Sequence, residues 1–134
     1  MTDEDVAAAF ERLPALVNGD IPLVRRGRFL TTTFLIGAGD IPLLATVREG
    51  AIADVTVSPP PMRSWRFAVR AGADAWRRFW QAVPEPGYHD LLAMTRFGAA
   101  RIEGDLHPLM ANLRYVKEVL EAPRRAGLGR GDAG

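Results

Sequence analysis

The feature that most constrains this sequence is a change of hydrophobic period at Gly72. Between residues 28 and 70, apolar and polar residues alternate in short runs, which is the spacing of half-buried β-strands. After Gly72, apolar residues recur every three or four positions, which is the spacing of helices. The sequence therefore predicts an α/β (α+β) domain, with about five mainly antiparallel strands and helices packed on one face of the sheet.

Four predicted strands lie in the part of period two, at residues 29–36, 41–48, 51–57 and 65–70. Glycine-containing turns separate the first three strands, which predicts an antiparallel meander. In the third strand we expect Ala53, Val55 and Val57 to share the core face, because alternate residues of a strand share a face. By the same rule, Trp65 should point inward in the fourth strand.

Two connecting segments break these patterns. Residues 58–62 include three consecutive prolines. Because proline has no amide N–H to donate to a ladder, we expect an extended surface segment there. Residues 21–27 show no clear period, and we expect an irregular connector.

The first of four predicted helices runs from Thr2 or Asp3 to about Val17. We expect an end or a kink near Leu13, because Pro14 lacks the amide that a helix interior uses.

The second predicted helix follows Gly72, with Asp74 or the residue before it as its cap. Its apolar positions have helical spacing: Trp76, Phe79, Trp80 and Val83. A short helix at residues 88–95 and a fifth strand at residues 97–103 should come next. The last helix should begin after Asp105 or His107.

The length of 134 residues suits one domain, which we place at residues 1–122. The remaining segment, 123–134, is rich in arginine and glycine without periodicity, and we expect it to be disordered. The chain has no cysteine, which excludes disulfides and thiolate chemistry. The net charge of +1 gives no reason to expect a nucleic-acid partner.

Localisation is predicted from the N-terminus and from the lengths of the apolar runs. The N-terminus is acidic where a secretory signal would be basic, and no run approaches the ~18 apolar residues of a membrane span. We therefore expect a cytoplasmic protein. Lys117 is the only lysine beside many arginines, which is typical of a GC-rich bacterial genome.

A family resemblance is carried by residues 86–120. There, a short predicted helix leads into a strand that ends Ala-Arg-Ile-Glu-Gly-Asp at residues 100–105, and Leu109-Met110 follow in the next helix. This order resembles the C-terminal half of sterol carrier protein 2-like domains. Upstream, Asp-Val-Thr-Val at residues 54–57 looks like the central strand of that family. The resemblance covers most of residues 28–121.

The resemblance implies a sheet with helices on one face, enclosing an apolar tunnel for sterols, fatty acyl chains or phospholipids. We expect the bound molecule to be a sterol, fatty acyl or isoprenoid lipid. It implies a non-enzymatic lipid-binding domain without a cofactor. Aromatic residues between 65 and 97, with adaptable methionines, are the candidate walls of such a cavity. The predicted ligand contacts are Phe34, Trp65, Phe67, Trp76, Phe79, Trp80, Tyr88, His89, Leu92, Met94, Leu109, Met110 and Leu113.

Each of these residues also has an ordinary structural interpretation. Aromatic residues at strand and helix spacing usually fill a core. We expect Tyr88 and His89 to supply polar contacts at the mouth of the cavity and the last helix, through Leu109, Met110 and Leu113, to act as its movable wall. Met62 is a further candidate wall.

The sequence shows no enzyme signature. Adjacent helical residues point about 100° apart, so His89 and Asp90 do not form a preset acid–base pair. The second histidine, His107, has no partner at the spacing of a metal site, and we predict neither a catalytic residue nor a bound metal. We expect Asp105 to cap the last helix, a structural task.

Two groups of arginines leave the choice of partner open. Arg25, Arg26 and Arg28 precede the first strand, and Arg77 and Arg78 lie outside the aromatic helix. They form either solvated surface or a docking site for an anionic membrane. The rival to a lipid carrier is a module without a cavity that forms a homodimer or serves a partner enzyme.

Overall fold

Five strands form one mixed sheet in the computed structural model of the protein, which describes residues 1–130. In this range the strands are β1 (Thr32–Ala38), β2 (Ile41–Arg48), β3 (Ala51–Val57), β4 (Phe67–Ala71) and β5 (Ala100–Gly104). Their spatial order is β3-β2-β1-β4-β5. Only the β1–β4 pair is parallel among these described strands, so the predicted five-stranded, mainly antiparallel sheet is confirmed.

Helices cover one face of the sheet. Within residues 1–130 they are α1 (Asp3–Glu11), α2 (Leu13–Asn18), α3 (Ile21–Arg26), α4 (Ala73–Phe79), α5 (Leu91–Arg96), α6 (Leu106–Ala111) and α7 (Leu113–Arg125), with a 3-10 helix at Leu128–Arg130. The main core lies between these helices and the inward side chains of the sheet, such as Phe34, Ile36 and Val69. The predicted α+β class with helices on one face is confirmed.

Side-chain hydrogen bonds cap the N-termini of α1 and α3. Thr2 and Asp5 form a capping box, in which each side chain accepts a hydrogen bond from the other's backbone N–H. Helix α1 ends at Glu11 and α2 begins at Leu13, with Arg12 between them, which confirms the helix end expected near Leu13. The irregular connector predicted at residues 21–27 is wrong, because Asp20 accepts from the N–H of Leu23 and starts α3.

Two strand predictions placed side chains on the wrong face. A register shift between Thr46 and Val47 puts a bulge in β3, so Ile52 is buried and Ala53 is exposed. Trp65 precedes β4 and packs on the outer face of the sheet, not in the main core. A period-two pattern predicts that side chains alternate between the two faces. It does not show where a residue is inserted or where a strand begins.

Trp65 lies at the end of the proline-rich connection, residues 58–66. Because β3 and β4 are separated by β2 and β1, this connection has to cross two strands. Trp65 covers the outer apolar patch that consists of Leu35, Leu44 and Ala68. Met62, a candidate cavity wall, is 94% exposed on the crossing segment.

Several element ends also differ from prediction. The first strand begins at Thr32, since Phe29 lies in a turn and is 85% exposed. The N-cap of α4 is Gly72 rather than Asp74, and Val83 lies beyond the end of that helix and is exposed.

The C-terminal elements also differ. Asp90 caps α5, which therefore begins after Tyr88 and His89, and β5 begins three residues after Phe97. The single predicted last helix is two helices, separated at Asn112. Helix α7 continues to Arg125, past the start of the predicted disordered tail, and residues 131–134 of that tail lie outside the described residues.

Candidate functional site

The aromatic residues predicted to line a cavity pack against one another. The ring of Phe10, on α1, meets the rings of Trp76 and Trp80 edge to face at centroid distances of 4.9 and 5.0 Å. Trp76 also contacts Phe79 at 5.8 Å and Trp80 at 6.0 Å. All four side chains are buried. We call this group the aromatic cluster.

Hydrogen bonds fix both indoles of the aromatic cluster. The indole N–H of Trp76 donates to the carbonyl of Gly37 at 2.9 Å, and that of Trp80 donates to the carbonyl of Leu120 at 2.9 Å. A buried indole needs such a partner, and here each partner is backbone of a neighbouring element. The cluster is thus built as core, and its predicted role in ligand contact stays a prediction.

Three further predicted contacts lie in the main core beside the aromatic cluster. Phe34 and Phe67 stack across the parallel β1–β4 pair, with ring centroids 4.9 Å apart. Met94, on α5, is fully buried in the same core. Trp65, by contrast, lies on the opposite face of the sheet and does not join them.

Tyr88 and His89, predicted as polar contacts at a cavity mouth, lie in the connection between α4 and α5. The Tyr88 ring contacts Phe97 edge to face at 5.3 Å, and the guanidinium of Arg78 lies 5.3 Å above it. The Nδ1 of His89 accepts a hydrogen bond from the N–H of Gly87 at 3.2 Å. This histidine therefore shapes its own turn.

An open apolar groove runs between α5, β5 and α6, with a volume of about 400 Å³. We call it the edge groove. Its lining residues are Leu92, Thr95, Ala100, Arg101, Ile102, Leu106, Leu109 and Met110. The structure thus brings three of the predicted contacts together, namely Leu92, Leu109 and Met110. Leu113 is half-buried at the start of α7 and does not line the groove.

Sequence reasoning missed three apolar residues of the edge groove, namely Ala100, Ile102 and Leu106. Ile102 lies opposite Val69 of β4, and its alternation in β5 is that of an ordinary core residue. Leu106 follows Asp105 directly and is 43% exposed, while Met110, one turn later, is 53% exposed. The signal available in the sequence was the spacing of Leu106 and Met110, which stand four residues apart as neighbours on one helical face do.

Two ion pairs lie near the C-terminal end of β5. Asp105 accepts from the N–H of His107 at 3.1 Å, which confirms its predicted capping role, and pairs with Arg66 at 2.8 Å. The hydrogen bond from Arg66, followed by that from the backbone of His107, lowers the pKa of Asp105. Glu103 pairs with Arg70, whose hydrogen bond lowers the pKa of Glu103 in the same way.

Helix α6 is the outer wall of the edge groove. It has six residues and is joined to α7 at Asn112, whose side-chain N–H donates to the carbonyl of Pro108 at 3.0 Å. Leu109 anchors α6 in the core, whereas Leu106 and Met110 face outward. The predicted wall of Leu109, Met110 and Leu113 is therefore divided between two helices.

A second surface carries basic and apolar residues together. Ile21 is exposed, Phe29 projects from the turn after α3, and the guanidinium of Arg28 lies 4.4 Å above the Phe29 ring. Arg25 borders the same surface. By contrast, Arg77 and Arg78 pair with the carboxylate of Asp74 at 2.8 Å each.

Among the described residues, no cluster of three or more histidine, aspartate or glutamate side chains could hold a metal ion. In the same range, no helix has the length and apolar character needed to span a bilayer.

The fold is that of sterol carrier protein 2. The crystal structure of sterol carrier protein 2 is similar with a TM-score of 0.66 and 15% identity, over 89% of this chain and 93% of that one. A solution structure from Thermus thermophilus, described as possibly a sterol carrier protein, gives a TM-score of 0.58 and 11% identity over 85% of each chain.

A third similar structure is named UbiJ-SCP2, ubiquinone synthesis protein, with a TM-score of 0.50, 17% identity and 92% of each chain covered. No protein-family model matches the sequence, and the search of curated proteins gave no match. At these identities the comparisons establish the fold alone.

Proposed function

We propose that the protein binds an apolar, lipid-like molecule in the cytoplasm and performs no chemistry on it. The observation that supports this is the lining of the edge groove, where Leu92, Ile102, Leu109 and Met110 converge in a fold shared with sterol carrier protein 2. A site of mainly apolar side chains with a few polar groups at its rim is the usual form of a small-molecule pocket.

The energetics favour an occupant of hydrocarbon character. Leu106 and Met110 leave about half of their side chains in water. Each CH₂ group of a ligand that is buried against them contributes about 0.8 kcal/mol. A chain of several CH₂ groups along the groove is therefore enough for measurable affinity, whether it belongs to a fatty acyl, isoprenoid or sterol molecule.

The internal cavity that the family resemblance implies would lie inward from this groove. Leu109 of α6 separates the groove from the main core that contains Met94. Movement of α6 about Asn112 would extend the groove toward Met94 without breaking the aromatic cluster. Carriage of a lipid inside the domain is thus proposed as an opening of α6, with the groove as the entrance.

A ubiquinone synthesis protein among the structural neighbours bears on the choice of ligand. It supports the inclusion of isoprenoids among the molecules to be tested. It also favours a second candidate function, a module that serves a partner protein. The close contacts of the aromatic cluster fit this second candidate, because a module of this kind needs no internal space.

Binding of a fluorescent fatty-acid probe tests the first candidate. The double variant L106Q/M110Q makes the groove polar at two exposed positions, and we expect about a tenfold weaker probe affinity, equivalent to about 1.4 kcal/mol. The matched control is M62Q, the same kind of change at an exposed methionine that does not line the groove. Equal binding by the double variant and the control would reject the groove as the site.

Mass spectrometry of an organic extract identifies the natural occupant. We expect acyl or isoprenoid lipid to co-purify with the wild-type protein. An extract identical to the blank, together with no probe binding, would favour the partner module instead.

We propose that the surface of Ile21, Arg25, Arg28 and Phe29 makes transient contact with anionic membranes. Exposed apolar side chains among cations suit the interface of a bilayer with negative headgroups. Co-sedimentation with vesicles that contain phosphatidylserine should exceed that with neutral vesicles, and F29A/R28A should remove the difference. Equal sedimentation with both vesicle types would reject membrane contact.

A further inference from the structure

Strand β5 is an edge of the sheet, and its outward backbone groups are determined by its pairing with β4. The N–H of Asp105 donates to the carbonyl of Arg66 at 2.7 Å. Because antiparallel partners bond at every second residue, Glu103 and Arg101 also bond toward β4. The N–H and C=O groups of Ala100, Ile102 and Gly104 therefore point toward the open edge.

Such an edge is a template for another strand unless it is protected. The edge groove borders β5 along residues 100–102, between α5 and α6. Next to the edge, Leu106 and Met110 are partly exposed. Hydrogen-bonding groups and apolar surface are thus available side by side.

We infer that β5 pairs antiparallel with β5 of a second copy of this chain, about a two-fold axis at Ile102. In this register Ile102 faces Ile102 of the second copy, and Ala100 faces Gly104. These are the three residues whose backbone groups point to the open edge, so the register uses all of them. Pairing ends at Gly104, where a φ of 91° turns the chain toward α6.

The charges of β5 are self-complementary in the same register. Arg101 of each copy lies opposite Glu103 of the other, on the outer face of the sheet. Arg101 is 72% exposed, and its guanidinium is 3.6 Å from the Glu103 carboxylate of its own strand. Across a strand pair, opposite charges stabilise and like charges destabilise. An unrelated strand would need this charge pattern by coincidence, whereas a second copy has it by symmetry.

The apolar surfaces meet as well. Antiparallel pairing places the end of β5 in one copy beside the start of β5 in the other, so α6 of one copy lies next to α5 of the other. Leu106 and Met110 of each copy then approach the groove at Leu92 of its partner copy. The inference does not depend on lipid binding, although the two edge grooves would adjoin at the axis.

Sedimentation equilibrium of the full chain tests this inference. We expect the wild type to form a dimer, and R101E and E103R each to be monomeric, because each places like charges opposite one another twice. A one-to-one mixture of the two variants should dimerise again. The glutamate introduced in R101E then faces the arginine introduced in E103R. The native Glu103 of the first chain likewise faces the native Arg101 of the second. The matched control R63E makes the same charge change on the connection between β3 and β4 and should remain dimeric.

A cysteine at the axis gives a test that does not depend on charge. The chain has no cysteine of its own. Residues in a hydrogen-bonded antiparallel pair have Cα atoms about 5.5 Å apart, within the disulfide range of about 4.4–6.8 Å. I102C should therefore form a covalent dimer on oxidation, whereas the control M62C should not exceed the level expected from random collision.

A wild type that stays monomeric up to its solubility limit would overturn the inference, and so would an R101E variant as dimeric as the wild type. Probe binding by the E103R monomer separates this result from the lipid proposal, because Glu103 does not line the groove. If the wild type is dimeric and E103R is monomeric and binds the probe, both proposals hold. If E103R is monomeric and neither it nor the dimeric wild type binds, only the lipid proposal fails.

Discussion

The aromatic cluster and the edge groove are both built from large apolar side chains, but only one of them is complete. In the cluster, every ring has ring neighbours and both indole N–H groups have backbone acceptors. In the groove, Leu106 and Met110 have no comparable cover within the described part of the chain. The difference teaches that the open apolar surface of this chain lies where packing stops, at the edge groove, and not where aromatic residues are densest.

The largest expected effect belongs to the cluster. Trp76→Ala removes a fully buried indole together with its hydrogen bond to Gly37, and we expect a loss of about 3–5 kcal/mol in the free energy of unfolding. Urea denaturation followed by circular dichroism measures it. If the cluster enclosed a ligand that fills space, truncation would be tolerated better, so a loss below about 1 kcal/mol would break the comparison.

The second prediction compares two leucines of α6. Leu109 is fully buried and Leu106 is partly exposed, three residues earlier on the same helix. In the monomeric E103R background, we expect Leu109→Ala to cost about 2–5 kcal/mol of unfolding free energy, and Leu106→Ala less than about 1 kcal/mol. Comparable losses there would mean that Leu106 is covered within a single chain, and the groove would not be open as described.

Sequence patterns predicted the aromatic cluster better than the edge groove. The spacing of Trp76, Phe79 and Trp80 defines one face of α4, and that face is buried. The edge groove depends instead on where α6 ends and α7 begins, and Asn112 has no signal as strong as a proline. Its lining also comes from α5, β5 and α6, and the distances between three short elements are set by packing.

The errors of face assignment have the same origin. Extending the alternation of β4 two residues before the strand begins places Trp65 inward, on the wrong face. Strict alternation in β3 likewise misplaces Ala53, because a bulge is an added residue in one strand relative to another, which the sequence of one strand does not contain. Local patterns predict where helices and strands lie. The face that a residue occupies at a bulge or at the end of a strand depends on the neighbouring strand.

A third prediction concerns the hydrogen bond that the Trp80 indole makes to the backbone. Trp80→Phe keeps the apolar ring contact with Phe10 but removes the donor to the carbonyl of Leu120. We expect a loss of about 2 kcal/mol in unfolding free energy, of which about 1 kcal/mol is the net value of one hydrogen bond and the rest comes from the space that the smaller ring leaves unfilled. Denaturation with guanidinium measures it. An unchanged midpoint would contradict both contributions.

The smallest effect belongs to Asp105, the N-cap of α6. Its pKa is lowered in the folded state, first by the hydrogen bond from Arg66, so the stabilisation it gives is present above the unfolded pKa and is lost as pH falls through the folded pKa. Asp105→Asn keeps a side chain that can cap α6 but removes the charge. We therefore expect the wild type to be slightly more stable than the variant at neutral pH, and the two to converge in acid.

Denaturation curves at several pH values and two salt concentrations measure this difference. Because the Arg66–Asp105 pair is exposed, salt should screen it and reduce the gap at neutral pH. A gap that persists in acid would instead assign the stabilisation to capping geometry, which asparagine then reproduces imperfectly. In that case Asp105 would hold α6 by hydrogen bonding alone, and the proposed movement of α6 about Asn112 would respond little to pH or salt.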